Sequence, residues 1–340
     1  MRRRKSLTAL WAVILIGFAA YAGFWWFAAG RIKEAVAGLP EMARAQGVDA
    51  AWQSVRVGGF PLAFRIELAG VTIRGSGTTP GAELRTPSLR ASARPWALRA
   101  WQLAAPDGIS ATFGPGDAPL AKLSAASATG AVAVAANGGA AIWLTLDEAK
   151  AAANGSDFAA RAVDAWVILP PDAPVVHNEA GIGIAADLRE VAVPAVPRGF
   201  ANAIDDIGFA MTLMGTLSAA PPRQAATAWR DSGGTLELDQ FQLRWGELGI
   251  TGSGTLALDT GLQPIGGFSG AIAGYDQLMA ALVAAGRVKP GDARLARLAL
   301  AILAKAGPDG RPEISTSFRI QDGEMYLGPA KLGRMPRIDW

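Results

Sequence analysis

The sequence contains no cysteine and only one histidine, and these two shortages remove most familiar active-site chemistry. Without cysteine there is no disulfide bond, no thiol nucleophile and no cysteine-ligated metal. Zinc sites and Ser–His–Asp arrangements usually need at least one histidine. The single one, His177, falls within residues 171–181, which are predicted to form a loop, so we interpret it as a solvated loop residue. The sequence therefore predicts no catalytic residue, no metal ligand and no cofactor site.

Charged residues are also scarce, at 18% of the chain, compared with about a quarter in an average soluble protein. There are 32 basic and 29 acidic residues, and four of the basic ones lie together at Arg2, Arg3, Arg4 and Lys5. The rest of the chain is close to neutral, so it lacks the basic stripe that nucleic-acid binding requires. Hydrophobic residues make up 51%, and the mean hydropathy is +0.23, which is apolar for a soluble domain.

The segment Leu7–Ala29 has no charged residue at all. A helix of this length, rising about 1.5 Å per residue, can cross the ~30 Å hydrocarbon core of a bilayer. Trp25 and Trp26 stand near its end, where aromatic rings settle at a membrane interface. Because positive residues stay in the cytoplasm, the Arg2–Lys5 cluster predicts a single-pass anchor in a bacterial inner membrane, with a cytoplasmic N-terminus and a periplasmic body.

A cleavable signal peptide is the competing interpretation of the same segment. Ala20-Tyr21-Ala22 has the small-x-small form of a cleavage site, and cleavage there would remove residues 1–22. The apolar run continues beyond this point, however, and the new chain would begin with exposed aromatic residues. We therefore favour an uncleaved anchor, and both alternatives deliver the body to the same side of the membrane.

The remainder is predicted to be mainly β. We divide the chain into a cytoplasmic cap and transmembrane anchor (1–30), a linker helix interrupted at Pro40 (31–47) and a periplasmic β-rich body (48–340), with a candidate sub-boundary at 221–223. Apolar and polar residues alternate through Phe64–Leu68, as in a half-buried strand. Similar segments separated by turn residues recur along the body, which indicates consecutive antiparallel strands rather than βαβ units.

Two features near the C-terminus complete the predicted fold. Residues 275–305 show the 3.6-residue spacing of a helix pair, with Pro290 at the start of the second helix. Asp322-Gly323 is a strong two-residue hairpin signal. The predicted fold class is thus mainly β (α+β): a single N-terminal transmembrane helix followed by a large curved antiparallel sheet with a C-terminal helix pair.

The cationic start and the single predicted anchor are followed by four short motifs. They are Gly58-Gly59-Phe60-Pro61-Leu62-Ala63-Phe64-Arg65, Leu243-Arg244-Trp245-Gly246, Gly252-Ser253-Gly254-Thr255-Leu256 and Asp322-Gly323-Glu324-Met325-Tyr326-Leu327-Gly328-Pro329. Together these features resemble the DUF2125 family, uncharacterised proteins of alphaproteobacteria. The resemblance covers nearly the whole chain. The glycine-punctuated strands are more distantly similar to AsmA-type envelope proteins, which implies an inner-membrane anchor and long curved sheets proposed to handle lipids. Neither resemblance implies a catalytic residue.

Two functional hypotheses remain open at this point. The first is a lipid-handling or structural envelope protein, whose partners are the inner membrane, lipid or other envelope proteins. Its candidate apolar groove contains Phe64, Ile66, Leu68, Leu243 and Trp245. The same alternation would also arise in an ordinary sheet covered by the 275–305 helices.

The second hypothesis is a periplasmic hydrolase of cell-wall or glycan substrates, in which two carboxylates converge in a cleft. The sequence contains suitable acids, Asp231, Glu237, Asp239 and Glu247, without a pattern that selects a pair. The adjacent Asp205 and Asp206 are better explained as capping a helix N-terminus or as solvated residues. Buried converging carboxylates would favour the enzyme, and an open aliphatic groove would favour lipid handling.

Overall fold

The computed structural model describes residues 2–45, 47–75, 81–114, 119–153, 155–193, 196, 199–218, 220–284, 286, 288–307 and 310–338. These residues contain 19 strands and four helices, and the strands pair antiparallel. The predicted mostly β fold with a large antiparallel sheet and a C-terminal helix pair is therefore confirmed. The chain divides into two compact units, Met1–Ala133 with Ala151–Gly155 (unit 1) and Val134–Lys150 with Ser156–Trp340 (unit 2).

Unit 1 contains one helix and eight short or medium strands. They are α1 (Arg2–Ala45), β1 (Val48–Ala51), β2 (Ser54–Gly58), β3 (Phe64–Gly75), β4 (Ala82–Ala93), β5 (Ala100–Ala105), β6 (Ile109–Phe113), β7 (Ala121–Ala125) and β8 (Ser127–Val134). Strands β1 and β2 both pair with β3, and β3 pairs with β4. Strand β4 then pairs with both β5 and β6.

Unit 2 contains a long meander and three helices. They are β9 (Ala140–Ala153), β10 (Ser156–Leu169), β11 (Ala180–Ala192), β12 (Ala203–Met214), α2 (Pro222–Asp231), β13 (Leu236–Trp245), β14 (Leu248–Leu258), β15 (Pro264–Ala273), α3 (Tyr275–Ala284), α4 (Pro290–Leu303), β16 (Lys305–Ala306), β17 (Pro312–Gln321), β18 (Glu324–Leu327) and β19 (Ala330–Arg334). Each strand from β10 to β15 pairs with the next, and β15 pairs with β17 across the α3–α4 excursion. Residues 221–223 lie inside this unit, at the start of α2.

Helix α1 is longer than the sequence predicted. It runs without a break from Arg2 to Ala45 and passes through Pro40, where we predicted an interruption. Proline removes one backbone hydrogen bond, but Val36, one turn earlier, is buried and tertiary packing outweighs this local preference. Among the described residues, no helix meets the length and hydropathy expected of a membrane span.

The core of unit 1 forms where α1 packs on the start of β3. Phe64 is fully buried, and its ring stacks on that of Trp25 with the centroids 5.3 Å apart. The Trp25 indole donates a hydrogen bond to the carbonyl oxygen of Ala63 at 3.2 Å. Phe60 contacts the same indole edge-on at 5.4 Å. Phe64 and Ile66 are buried while Arg65 and Glu67 are exposed, which confirms the predicted alternation over these four residues; Leu68, predicted to be buried with them, is only half-buried.

Gly59, the second glycine of the Gly58–Arg65 motif, has a local geometric role. Gly59 adopts a φ of 102°, a conformation that residues with a Cβ rarely reach. A Cβ there would also lie 2.6 Å from the carbonyl oxygen of Ala63. The tight turn is closed by a hydrogen bond from the Ala63 amide to the Gly59 carbonyl at 3.0 Å. The motif thus turns the chain so that Phe60 and Phe64 both reach Trp25.

The C-terminal hairpin agrees with its sequence signal. Asp322 and Gly323 have φ angles of 54° and 70°, as the favoured two-residue hairpin turn requires at both central positions. They join β17 and β18, with Gln321 opposite Glu324. Pro290 begins α4 in the first turn, also as predicted.

Candidate functional site

One face of the unit 2 sheet is almost entirely apolar. Strand register places Leu238, Gly254, Phe268, Phe318 and Leu327 in one row across five strands. Further rows on this face are Leu236, Leu256, Gly266 and Ile320; Phe241, Gly252, Gly270 and Thr316; and Leu243, Ile250, Ile272 and Ile314. Because side chains alternate along a strand, these residues project to the same side. We call this surface the groove face.

The opposite side of the same strands is polar. It carries Ser315, Ser317 and Arg319 on β17, and all three are exposed. On β13 it carries Glu237 and Arg244. This separation is typical of an antiparallel sheet with one solvated face. The groove face would accordingly be expected to lie against a second layer.

Among the described residues the second layer is incomplete, and an open cavity of about 530 Å³ lies on the groove face. Its lining includes Leu238, Phe241, Ile250, Gly252, Phe268, Gly270, Ile272, Leu278, Thr316, Phe318, Ile320 and Leu327. None of these side chains is charged. Phe268 and Phe318 are only half-buried, and their ring centroids lie 5.9 Å apart. We call this cavity the groove.

Glycines form the floor of the groove between β14 and β15. A Cβ on Gly270 would collide with the carbonyl oxygen of Thr251, and one on Gly254 with that of Gly267. Neither collision can be relieved without moving a strand, because the obstructing atoms are backbone. These glycines therefore bring the two strands close together and leave the floor free of side chains, with Phe268 standing above it.

Helix α3 supplies one wall of the groove through Leu278. The preceding residue, Gln277, fixes the helix to the sheet edge. Its side-chain oxygen accepts hydrogen bonds from the backbone amides of Glu247 at 3.0 Å and Leu248 at 3.1 Å. Its side-chain nitrogen donates to the carbonyl oxygen of Gly199 at 2.9 Å. The wall is thus held by polar contacts outside the apolar cavity.

The predicted groove residues are divided between the two units. Phe64, Ile66 and Leu68 lie on β3 in unit 1, and the ring of Phe64 packs against that of Trp25. Leu243 and Trp245 lie on β13 in unit 2, on the groove face, and Leu243 is directly opposite Ile250 in the groove lining. Sequence alternation identified the apolar faces but could not show which one is open.

Trp245 is occupied by contacts within unit 2. Its indole donates a hydrogen bond to the carbonyl oxygen of Ala201 at 2.9 Å, and its ring packs on Phe200 with centroids 4.3 Å apart. Of the two predicted interface anchors, Trp26 is 69% exposed and Trp25 is 3% exposed. Trp25 faces Phe64 because the turn at Gly59 brings the start of β3 against this side of α1.

The structure shows the secondary structure of the N-terminal basic cluster but does not describe its side chains. Arg2, Arg3, Arg4 and Lys5 belong to α1, and their side chains lie outside the described residues. Their predicted topological role stays a prediction.

Three of the four acidic residues of the hydrolase hypothesis have separate side-chain partners. Glu237 accepts hydrogen bonds from Thr235 at 2.8 Å and Thr255 at 2.5 Å. Asp239 accepts one from Thr212 at 2.9 Å, and Asp231 forms an ion pair with its neighbour Arg230 at 2.6 Å. Glu247 is exposed on the turn between β13 and β14. Across the described chain, the buried polar or charged residues comprise Thr86 alone.

The sequence suggested that Asp205 and Asp206 could cap a helix, but in the structure they do not. Both lie on β12, where Arg244 of β13 forms ion pairs with them. Asp205 also accepts a hydrogen bond from the backbone amide of Gly246 at 2.8 Å. Strand pairing brings these residues together although they are distant in sequence, which local patterns could not show. His177 lies in an exposed turn, as predicted.

The clearest electrostatic feature near the groove lies on the polar side of β18. Lys331 and the Tyr326 hydroxyl both donate hydrogen bonds to Glu324, and together they hold the pKa of that carboxyl below its usual range. The same hydrogen bond to Glu324 raises the pKa of Tyr326. Arg319 lies over the Tyr326 ring, 4.7 Å from its centroid. These ionisable groups tie β17, β18 and β19 together on the solvated face, so the groove itself stays uncharged.

A second cavity, of about 300 Å³, lies beside the C-terminal residues and is chemically different. Its lining mixes Asp259 and Asp322 with Arg334 and Arg337. Gln263 holds the adjacent chain through two hydrogen bonds with the backbone of Ile338, at 2.9 and 3.1 Å. Its lining contains charges of both signs, which does not select one class of ligand.

Comparison with known proteins gives one informative match. The model of the DUF2125 family, described as an uncharacterized protein conserved in bacteria, matches residues 25–336. No curated protein and no solved structure matches the chain, and the more distant likeness to AsmA-type proteins is not confirmed. The matched region begins at Trp25 and includes its partner Phe64, the groove and both helices beside it. The chain therefore belongs to the DUF2125 family.

Proposed function

We propose that this protein binds the acyl chain of a lipid in the groove of unit 2. The observation that carries the proposal is the open cavity of about 530 Å³, whose described lining residues include no charged side chain. Its volume falls within the range of about 300–1,000 Å³ that small-molecule sites usually have. A cavity without charged side chains favours a ligand that is itself apolar along its length.

Binding of an acyl chain requires no special residue. Each methylene removed from water contributes roughly 0.8 kcal/mol, so a long chain can bind through contact with aliphatic and aromatic side chains alone. Phe268 and Phe318 provide such surface, and both are half-exposed. A ligand chain over the glycine floor would cover apolar surface that the protein leaves in contact with water.

The hydrolase alternative has no comparable support. Three of its four candidate acids have different hydrogen-bond or ion-pair partners in unit 2, and Glu247 is exposed on a turn. The notion of a fully covered sheet is also disfavoured, since α3 contributes a single residue, Leu278, to the groove wall. An open apolar groove is the arrangement that lipid handling requires.

Titration with fatty acids of increasing length tests the proposal. The full chain, held in an amphipathic polymer to avoid competing detergent, is titrated with saturated fatty acids of twelve, fourteen and sixteen carbons by displacement of a fluorescent fatty acid. We expect saturable binding whose affinity rises about fourfold per added methylene, from roughly 0.8 kcal/mol each. A short-chain acid of the same charge is the control. Absence of saturation, or affinity independent of chain length, would defeat the proposal.

We also propose that residues 7–29 hold the protein in a bacterial inner membrane with the body in the periplasm. The uncharged segment after the Arg2–Lys5 cluster supports this, as do the exposed apolar side chains of Trp11, Ile14 and Ile16 on α1. Alkaline phosphatase fused after the last residue should be active in bacterial cells, because the enzyme folds only outside the cytoplasm. An inactive fusion, with an active cytoplasmic reporter at the same point, would reverse the topology.

A further inference from the structure

Helix α4 carries large apolar residues on the side that faces away from the protein. Leu295, Leu298 and Ile302 are 71%, 63% and 77% exposed. Their spacing of three and four residues places them in one stripe along the helix. An exposed stripe of this kind is uncommon on a soluble surface and marks an interaction site. We call these three residues the outer stripe.

The outer stripe is additional to the face by which α4 packs on the rest of unit 2. Ala293 is 3% exposed, and Leu300 is half-buried, both on the opposite side of the helix. Arg297 forms an ion pair with Asp276 of α3 at 3.5 Å, which ties the two helices together. The inner face holds α4 in place, and the described residues of unit 2 leave the outer stripe largely exposed.

The charges around the outer stripe are mainly positive. Arg294 lies beside it on the same side of the helix, and Lys289 and Lys305 lie at the two ends; all three are exposed. Asp292 is the acidic residue of the helix itself. Apolar residues flanked by basic ones are the pattern of helices that lie in a membrane interface containing anionic lipid.

The outer stripe is also close to the groove in the fold. Helix α4 packs on α3, which supplies Leu278 to the groove wall, and on β17, which supplies Phe318 to the lining. A surface that α4 contacts would therefore lie next to the cavity. No such relation holds for the polar side of the sheet, where Ser315 and Ser317 project.

We propose that α4 rests on an anionic lipid surface through its outer stripe and so brings the groove to the surface from which an acyl chain is taken. The delivery of an acyl chain to the groove rests on the proposed function. The contact of α4 with a lipid surface does not depend on it. Leu295, Leu298 and Ile302 enter the headgroup region, and Arg294, Lys289 and Lys305 meet the anionic groups.

The absence of cysteine makes a direct test possible. Leu298→Cys in the full chain is labelled with an environment-sensitive fluorophore and mixed with vesicles of phosphatidylcholine containing phosphatidylglycerol. We expect a blue shift, and quenching by lipids that carry a spin label on the acyl chain. Vesicles of phosphatidylcholine alone, or high salt, should reduce the response, as should Arg294→Glu. Ser315→Cys, labelled in the same way on the polar side of β17, is the control and should not respond.

Each other outcome contradicts the proposal. An unchanged label at position 298, or an equal response at position 315, would show that α4 does not make a specific lipid contact. A blue shift that depends on protein concentration without vesicles would show that a second copy covers the outer stripe.

Fatty-acid titration of the labelled Leu298→Cys chain, carried out without vesicles, separates the two proposals. Retained chain-length dependence without a vesicle response overturns the α4 inference alone. A vesicle response without saturable fatty-acid binding overturns the groove alone.

Discussion

Replacing Phe64 by alanine is expected to lower the free energy of unfolding by about 3–5 kcal/mol, the usual cost of deleting a fully buried phenylalanine ring. Phe64 has no exposed surface and stacks on Trp25, which α1 contributes. The substitution leaves a cavity and removes the main contact that α1 makes with the start of β3. Urea unfolding followed by tryptophan fluorescence measures the change, and Trp25 itself should report the loss of its neighbour.

Arg65→Ala is the matched control, because it is adjacent on the same strand and faces the opposite side. Arg65 is exposed, and such a substitution usually changes stability by no more than about 0.5 kcal/mol. Similar losses in the two variants would mean that the alternation of β3 does not decide which side chains are buried. A small loss in Phe64→Ala alone would mean that α1 is not held by this contact.

Replacing Phe318 by aspartate is expected to reduce fatty-acid affinity by more than about tenfold, which corresponds to about 1.4 kcal/mol. Phe318 lines the groove beside Phe268, so the carboxylate would be covered by an acyl chain with no partner for its charge. Burying an unpaired charge is strongly unfavourable. The titration described above measures the change, and circular dichroism confirms that the sheet is intact.

Ser317→Asp is the control for the groove variant. Ser317 precedes Phe318 on β17 and is exposed on the polar face, so both variants place aspartate in the same strand. Binding should be unchanged in Ser317→Asp. If Phe318→Asp does not fold, Leu278→Glu introduces the charge from α3 instead and leaves every strand unaltered. Normal binding in a folded groove variant would place the ligand elsewhere.

The sequence alone determined the parts of this fold that depend on local physics. Alternation through Phe64–Leu68 reports which side of a strand is apolar, and the structure confirms it. Asp322-Gly323 marks a hairpin turn in the sequence because the turn requires positive φ angles, which few other residue pairs tolerate. The spacing of apolar residues likewise predicts the two helices near 275–305, including Pro290 in the first turn of α4. Each of these signals comes from residues close together in the chain.

Tertiary structure decided everything that depends on what covers an apolar surface. Apolar and polar residues alternate in the same way on β3 and on β17. On β3 Phe64 is covered by Trp25, whereas on β17 Phe318 borders an open groove. Arg244 reaches Asp205 and Asp206 only because β12 and β13 pair. The helical period of α4 likewise does not reveal that Leu298 points outward. Burial depends on the neighbour that long-range pairing brings, and a local sequence pattern carries no record of that neighbour.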